Sequence, residues 1–161
     1  MAYERLDEAL GRLRHTRDTQ RAVEEQKRQA ALKAATEFAR IKAEVIGPVF
    51  AEITAHLAAC GFSGEITDRM SDETSPIALI VDLSDDDCPS QKESLRIVFD
   101  QEKGLCGFDR AKGSTRDIQT NSLGRQYSID EINEDIVYEK AEELIATLVT
   151  EEIERGPSVT E

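Results

Sequence analysis

Tryptophan is absent, and aromatic residues make up only 5% of the 161 residues. A chain in which 33% of residues are charged and 39% are apolar is less typical of a β-sandwich than of a helix-rich protein. The apolar content is nevertheless too high for a disordered tail. The length fits one domain with a single core and an appendage.

Long apolar runs are also missing. No stretch approaches the roughly 20 apolar residues that span a bilayer, and the first eight residues are charged where a signal peptide would be apolar. The three cysteines, Cys60, Cys88 and Cys106, are odd in number and widely spaced, unlike a disulfide framework. We therefore expect a cytoplasmic protein that does not contact membranes.

Motifs for catalysis are lacking as well: there is no phosphate-binding glycine loop, no Gly-x-Ser-x-Gly elbow and no dinucleotide fingerprint. His56 and Cys60 lie one helical turn apart, but two ligands are too few for a zinc site, so we expect both to serve packing. A cluster of four carboxylates comprises Asp82, Asp85, Asp86 and Asp87. It lacks the alternation and central glycine of an EF-hand, which favours a solvated loop. We assign no catalytic residue, metal or cofactor, and favour a non-enzymatic function.

Negative charge is in excess, with 33 Asp and Glu against 20 Lys and Arg, a net charge of −13. Residues 1–46 contain 10 basic residues (Lys or Arg) and 8 acidic residues (Asp or Glu). Residues 47–161 contain 10 basic and 25 acidic residues. The chain therefore has a mildly basic first part and a strongly acidic second part. Such an excess of acid argues against nucleic acid or anionic lipid as the main partner and favours a basic protein.

The first 46 residues predict one long helix, because they contain no proline, one glycine and many strong helix formers. A heptad seam runs through it that is apolar at both ends and polar in the middle. A helix of this length exceeds the width of a small domain, so we expect it to be a coiled-coil-like stalk for homo-oligomerisation. The residues predicted to form the assembly contacts are Leu6, Leu10, Leu13, Phe38, Ile41 and Val45.

One pairing of two stalks removes the like charges that a parallel dimer would create. In an antiparallel pair whose partner numbers sum to 51, Leu13 meets Phe38, Leu10 meets Ile41 and Leu6 meets Val45. Other heptad registers stay open, and the apolar ends of the seam could instead dock on the globular part of the chain.

Gly47 and Pro48 predict a break or kink in the helix. Alternating apolar residues between positions 62 and 129 then predict a small, mainly antiparallel sheet of three to five strands, with 110–123 as a mobile surface loop. A C-terminal amphipathic helix, capped by Ser128 or Asp130, should pack on this sheet. The fold class is therefore α+β, with a stalk at 1–46, an α+β domain at 47–155 and a flexible tail at 156–161.

The C-terminal helix is strongly acidic, since residues 130–155 contain 10 Asp and Glu but 2 Lys and Arg. We interpret the protein as an oligomeric adaptor, scaffold or chaperone-like factor whose acidic face binds a basic partner, although such faces often serve only solubility. The residues predicted for this contact are Glu131, Glu134, Asp135, Glu139, Glu142 and Glu143.

Two alternative functions stay open. One is a small-molecule-binding domain or enzyme with a pocket between the sheet and the C-terminal helix. The other is a nucleic-acid binder acting through the basic stretch of the stalk from Arg12 to Arg28. Interleaved acids and the lack of stacking aromatics argue against the second alternative.

Overall fold

A computed structural model describes residues 2–68, 73–85, 88–90, 92–112 and 119–155. The helices are α1 (Glu4–Ile41), α2 (Gly47–Ala59) and α3 (Glu134–Arg155), with a π-helical turn at Lys42–Ile46 and a 3-10 turn at Ile129–Glu131. The strands are β1 (Ser63–Asp68), β2 (Ile77–Asp82), β3 (Glu93–Asp100), β4 (Leu105–Lys112), β5 (Gln119–Ser122) and β6 (Tyr127–Ser128). The predicted α+β class is confirmed. The predicted tail at 156–161 lies outside the described residues.

The first helix does not break at Gly47 and Pro48, so of the predicted break or kink the break is wrong. Helical backbone runs from Glu4 to Ala59, and the π-helical turn precedes the proline. The Gly47 N–H donates to the Lys42 carbonyl, five residues earlier. A Cβ at position 47 would lie 2.9 Å from that same oxygen. Glycine therefore permits the wider turn, and the turn lies where the ring of Pro48 would otherwise crowd a carbonyl.

The sheet is antiparallel in the order β1-β2-β3-β4-β5, with the short β6 also paired to β4. The structure therefore has five to six strands where three to five were expected. Part of the predicted loop at 110–123 is strand, because β4 continues to Lys112 and β5 spans Gln119–Ser122. The intervening residues 113–118 lie outside the described residues. Strand β2 lies between β1 and β3.

The core lies between one face of the sheet and the three helices. Alternate residues of β3 face inward, and Ile97 pairs with Ile77 on one side and Phe108 on the other. Phe38 of α1 is fully buried and stacks on Phe99, with 4.7 Å between ring centroids. Packing of α1 on the domain thus begins near residue 31, well before the predicted boundary between 46 and 47.

Helix α3 begins later than the capping pattern suggested. Ser128 precedes the 3-10 turn, and its N–H donates to the Glu131 carboxylate over 3.1 Å, as in a capping box. At the start of α3 itself, the Asn133 side-chain oxygen accepts the N–H of Ile136 at 2.9 Å. The apolar stripe of α3 then packs inward through Val137, among others. Within the described part of the chain, no helix combines the length and apolarity that crossing a membrane requires.

Candidate interaction surfaces

The N-terminal part of α1 extends away from the packed domain. Every described residue up to position 30 is exposed, whereas burial begins at Ala31 and is complete at Phe38. We call residues 4–30 the rod. At a rise of about 1.5 Å per residue, the rod is about 40 Å long. A single helix gains little stability from its own hydrogen bonds, and within the described residues the rod has none of the tertiary packing that stabilises most helices.

One side of the rod combines leucines with arginines. Leu6, Leu10 and Leu13 are 45–52% exposed. We call this side the leucine–arginine stripe; it comprises Leu6, Leu10, Leu13, Arg14, Arg17 and Arg21. Their spacing of three and four residues places them on one helical face, and all but the first line one shallow depression.

The three arginines of this stripe differ in their pairing, and Arg21 lies 3.9 Å from Asp18. Arg12 pairs with Glu8 at 3.0 Å and Arg28 with Glu25 at 2.8 Å, each within one turn of the helix. Among the described residues, by contrast, Arg14 and Arg17 form no ion pair. The interleaved acids therefore neutralise only part of this side of the rod, which leaves the positive charge of Arg14 and Arg17 beside exposed leucines.

The six residues predicted for assembly fall into two groups. Leu6, Leu10 and Leu13 are exposed on the rod. In contrast, Phe38 and Ile41 are buried in the core of their own domain, and Val45 packs partly buried against it. The antiparallel register with numbers summing to 51 is therefore incompatible with this fold, because Phe38 and Ile41 would have to leave the core. Assembly through the three N-terminal leucines stays a prediction.

The residues predicted for contact with a basic partner also differ among themselves. Glu131 already accepts hydrogen bonds from Arg125 at 2.9 Å and from the Ser128 N–H, and these lower its pKa to about 2. Glu143 lies 3.5 Å from the Lys140 ammonium. The other four, Glu134, Asp135, Glu139 and Glu142, are exposed. Within the described residues none of these four forms an ion pair, so no neighbouring base neutralises their charge.

A groove of about 570 Å³ lies between α2 and α3. Its apolar floor comprises Ile53, Leu57, Tyr138, Ile145 and Ala146. Its polar residues are Glu52, His56 and Glu142. We call this surface the α2–α3 groove. It lies between two helices rather than between the sheet and the last helix, where a pocket was expected.

Little in the amino-acid sequence indicates the groove, because its two walls are some 85 residues apart along the chain. On α2, Leu57 is buried and Ile53 is partly buried. In the sequence of α3, Tyr138 and Ala146 lie beside the apolar stripe. Their position is the only indication in this sequence pattern that the helix has a second apolar surface. Only packing of the two helices side by side brings these flanks together.

His56 and Cys60 are exposed, so the prediction that both serve packing was wrong. The Cys60 Sγ lies 3.9 Å from the His56 Nε2. Within the described residues, no three His, Cys, Asp or Glu side chains converge as a metal site would require. His56 instead contributes to the wall of the α2–α3 groove.

The aspartate cluster after β2 is partly engaged in local hydrogen bonds. Asp82 accepts the N–H of Ser84 at 3.0 Å and also its hydroxyl, and these bonds lower the Asp82 pKa. Asp85 accepts the N–H of Cys88 at 2.6 Å. Asp86 and Asp87 lie outside the described residues. The two described carboxylates thus stabilise the turn that follows the strand.

A buried ionic cluster at the end of the sheet was missed altogether. The Arg110 guanidinium donates to Glu93 and Glu151, each at 2.7 Å, and Lys112 lies 3.8 Å from Glu93. The side chains of Arg110 and Glu93 are only 12% and 8% exposed. Hydrogen bonds to Arg110 lower the pKa of Glu151, and burial opposes this shift. The cluster joins β3 and β4 to α3 and thereby fixes one end of the helix that forms the groove.

No family model, no curated protein and no solved structure matches this chain. The proposals that follow therefore rest on the geometry of the described residues.

Proposed function

We propose that this chain is a non-enzymatic interaction protein that assembles with itself through the rod and presents an acidic surface to a basic partner. The observation that supports this most directly is the rod itself. About 40 Å of helix carries exposed leucines along one side, beyond the point where its own domain can cover them. Oligomerisation would bury these leucines and stabilise the helix.

The test compares substitutions at two positions of the rod that are almost equally exposed but lie on different sides of the helix. Leu13 is 45% exposed on the stripe, and Val23 is 44% exposed on another side. Light scattering should report a multiple of the 17.9 kDa chain mass for the parent protein. Leu13→Gln should lower this mass, whereas Val23→Gln should not. Equal behaviour of the two variants, or a parent protein with the mass of one chain, would contradict self-assembly through this stripe.

The acidic surface is the second part of the proposal. Glu134, Asp135 and Glu139 are exposed on α3, where they can attract a basic partner. Capture of a basic peptide such as polylysine should weaken steeply with salt, because exposed charges are screened. Replacing these three residues with their amides should have the same effect at low salt. Capture that is insensitive to both changes would contradict this part of the proposal.

We also propose that the protein acts in the cytoplasm. Cys60 and Cys88 are exposed and Cys106 is buried, and none of the three forms a disulfide. Burial raises the pKa of Cys106 to about 12, which makes this thiol unreactive. Exposed thiols without disulfides fit a reducing compartment.

A further inference from the structure

The α2–α3 groove has the chemistry of a site for an amphipathic helix. Its floor is apolar, and the carboxylates of Glu52 and Glu142 lie at its two walls, one on each helix. Both carboxylates are exposed, and neither forms an ion pair within the described part of the chain. A helix bound here should therefore present apolar side chains flanked by positive charge.

The leucine–arginine stripe of the rod has this composition. Leu10 and Leu13 would cover the apolar floor, and the neighbouring Arg14, Arg17 and Arg21 would meet the two carboxylates. We propose that the α2–α3 groove binds the leucine–arginine stripe of a second copy of this chain. This inference rests on the proposed self-assembly through the rod and adds the surface that receives it.

The stripe cannot reach the groove of its own chain. Leu13 and His56 belong to one uninterrupted helical segment, Glu4 to Ala59, and lie 43 residues apart along it. At about 1.5 Å per residue the two positions are separated by about 65 Å. The helix would have to break for one chain to satisfy both surfaces. The contact is therefore intermolecular.

A two-fold dimer satisfies both chains at once. Each chain provides one stripe and one groove, so two identical contacts form and the assembly closes. The two long helices then run antiparallel, and the symmetry axis passes near Ala34, midway between Leu13 and His56.

Charge reversal on each surface tests the inference. The rod-reversed variant carries Arg14→Glu, Arg17→Glu and Arg21→Glu, and the groove-reversed variant carries Glu52→Lys and Glu142→Lys. Each variant alone should have a dimer dissociation constant raised by at least about tenfold, because both contacts become repulsive. An equimolar mixture should recover the parent mass in light scattering, because each rod then meets a groove of opposite charge.

The matched control reverses two exposed carboxylates away from the groove, Glu65→Lys and Glu154→Lys, and should keep the parent mass. A groove-reversed variant that also keeps the parent mass would overturn the groove assignment while leaving self-assembly intact. A rod-reversed variant that keeps it as well would contradict assembly through the stripe itself. Failure of the mixture to recover the parent mass would also overturn the inference, because a rod and a groove of opposite charge would then not bind each other.

Discussion

Replacing Phe38 with Ala should strongly destabilise the domain, whereas replacing Leu13 should not, although both residues belong to one heptad seam. Phe38 is fully buried, and its ring stacks on Phe99. Truncating a buried Phe costs about 3–5 kcal/mol, because the lost apolar contacts leave a cavity. Leu13 lies on the rod and is 45% exposed, so its truncation leaves no cavity in the domain.

The expected change in melting temperature follows from the size of the protein. One kcal/mol corresponds to about 2–4 °C for a domain of this length, so Phe38→Ala should lower the melting temperature by about 6–20 °C. Loss of a dimer would also lower it by mass action. Both substitutions should therefore be made in the rod-reversed variant, which is expected to be monomeric.

Thermal and urea unfolding followed by far-ultraviolet circular dichroism provide the measurement. In the rod-reversed background, Leu13→Ala should change the free energy of unfolding by less than about 0.5 kcal/mol, as for other exposed positions. The reasoning would be refuted if Phe38→Ala stayed within about 1 kcal/mol of its parent. It would also be refuted if both substitutions destabilised equally, because residue 38 would then not belong to the core.

Urea unfolding checks four further single variants and one double variant. Arg110→Met should cost about 3–5 kcal/mol because it leaves buried Glu93 unpaired, and adding Glu93→Gln should recover part of this loss. Glu131→Gln should destabilise at neutral pH, and the difference should disappear as pH falls from about 4.5 to about 2, because the lowered pKa stabilises the fold only while Glu131 is ionised. Gly47→Ala should destabilise, since the added Cβ would meet a backbone carbonyl at 2.9 Å. The same change at Gly11, with no atom within 4 Å of the added Cβ, should stabilise by about 0.5–1 kcal/mol. A double variant that costs as much as Arg110→Met alone, a pH-independent Glu131 effect, or equal signs at the two glycines would contradict the respective arguments.

The long helix and its apolar seam were predictable because both depend on local composition and spacing. Which part of the seam its own domain covers was not, since Leu13 and Phe38 carry the same heptad signal. The two residues differ because the sheet covers α1 at Phe38 and not at Leu13. The position of the sheet depends on pairing between strands that lie far from α1 in sequence. The π-helical turn was missed for a related reason: Pro48 predicts a disturbance but not the form that it takes.

The strands were predictable where one face is apolar, as in β3. Strand β5, Gln-Thr-Asn-Ser, has no apolar residue to indicate it and is recognisable only by its pairing with β4. The burial of charged residues was equally unpredictable from the sequence. Glu93 and Arg110 occupy inward positions, where the alternating pattern predicts apolar side chains. Their burial is tolerated because each has its partner, which the sequence alone does not identify.

Intrachain contacts change how the negative charge of α3 is interpreted. Glu131, Glu143 and Glu151 lie against Arg125, Lys140 and Arg110, and this partly neutralises them. The net charge of 130–155 therefore overstates what a partner would meet. Within the described residues Glu139 and Glu142 have no such pairing, and Glu142 lies at the α2–α3 groove. If the rod of a second copy occupies this groove, Glu142 serves assembly and the surface left for a basic partner is centred on Glu139. Assembly and partner binding would then use adjacent faces of one helix.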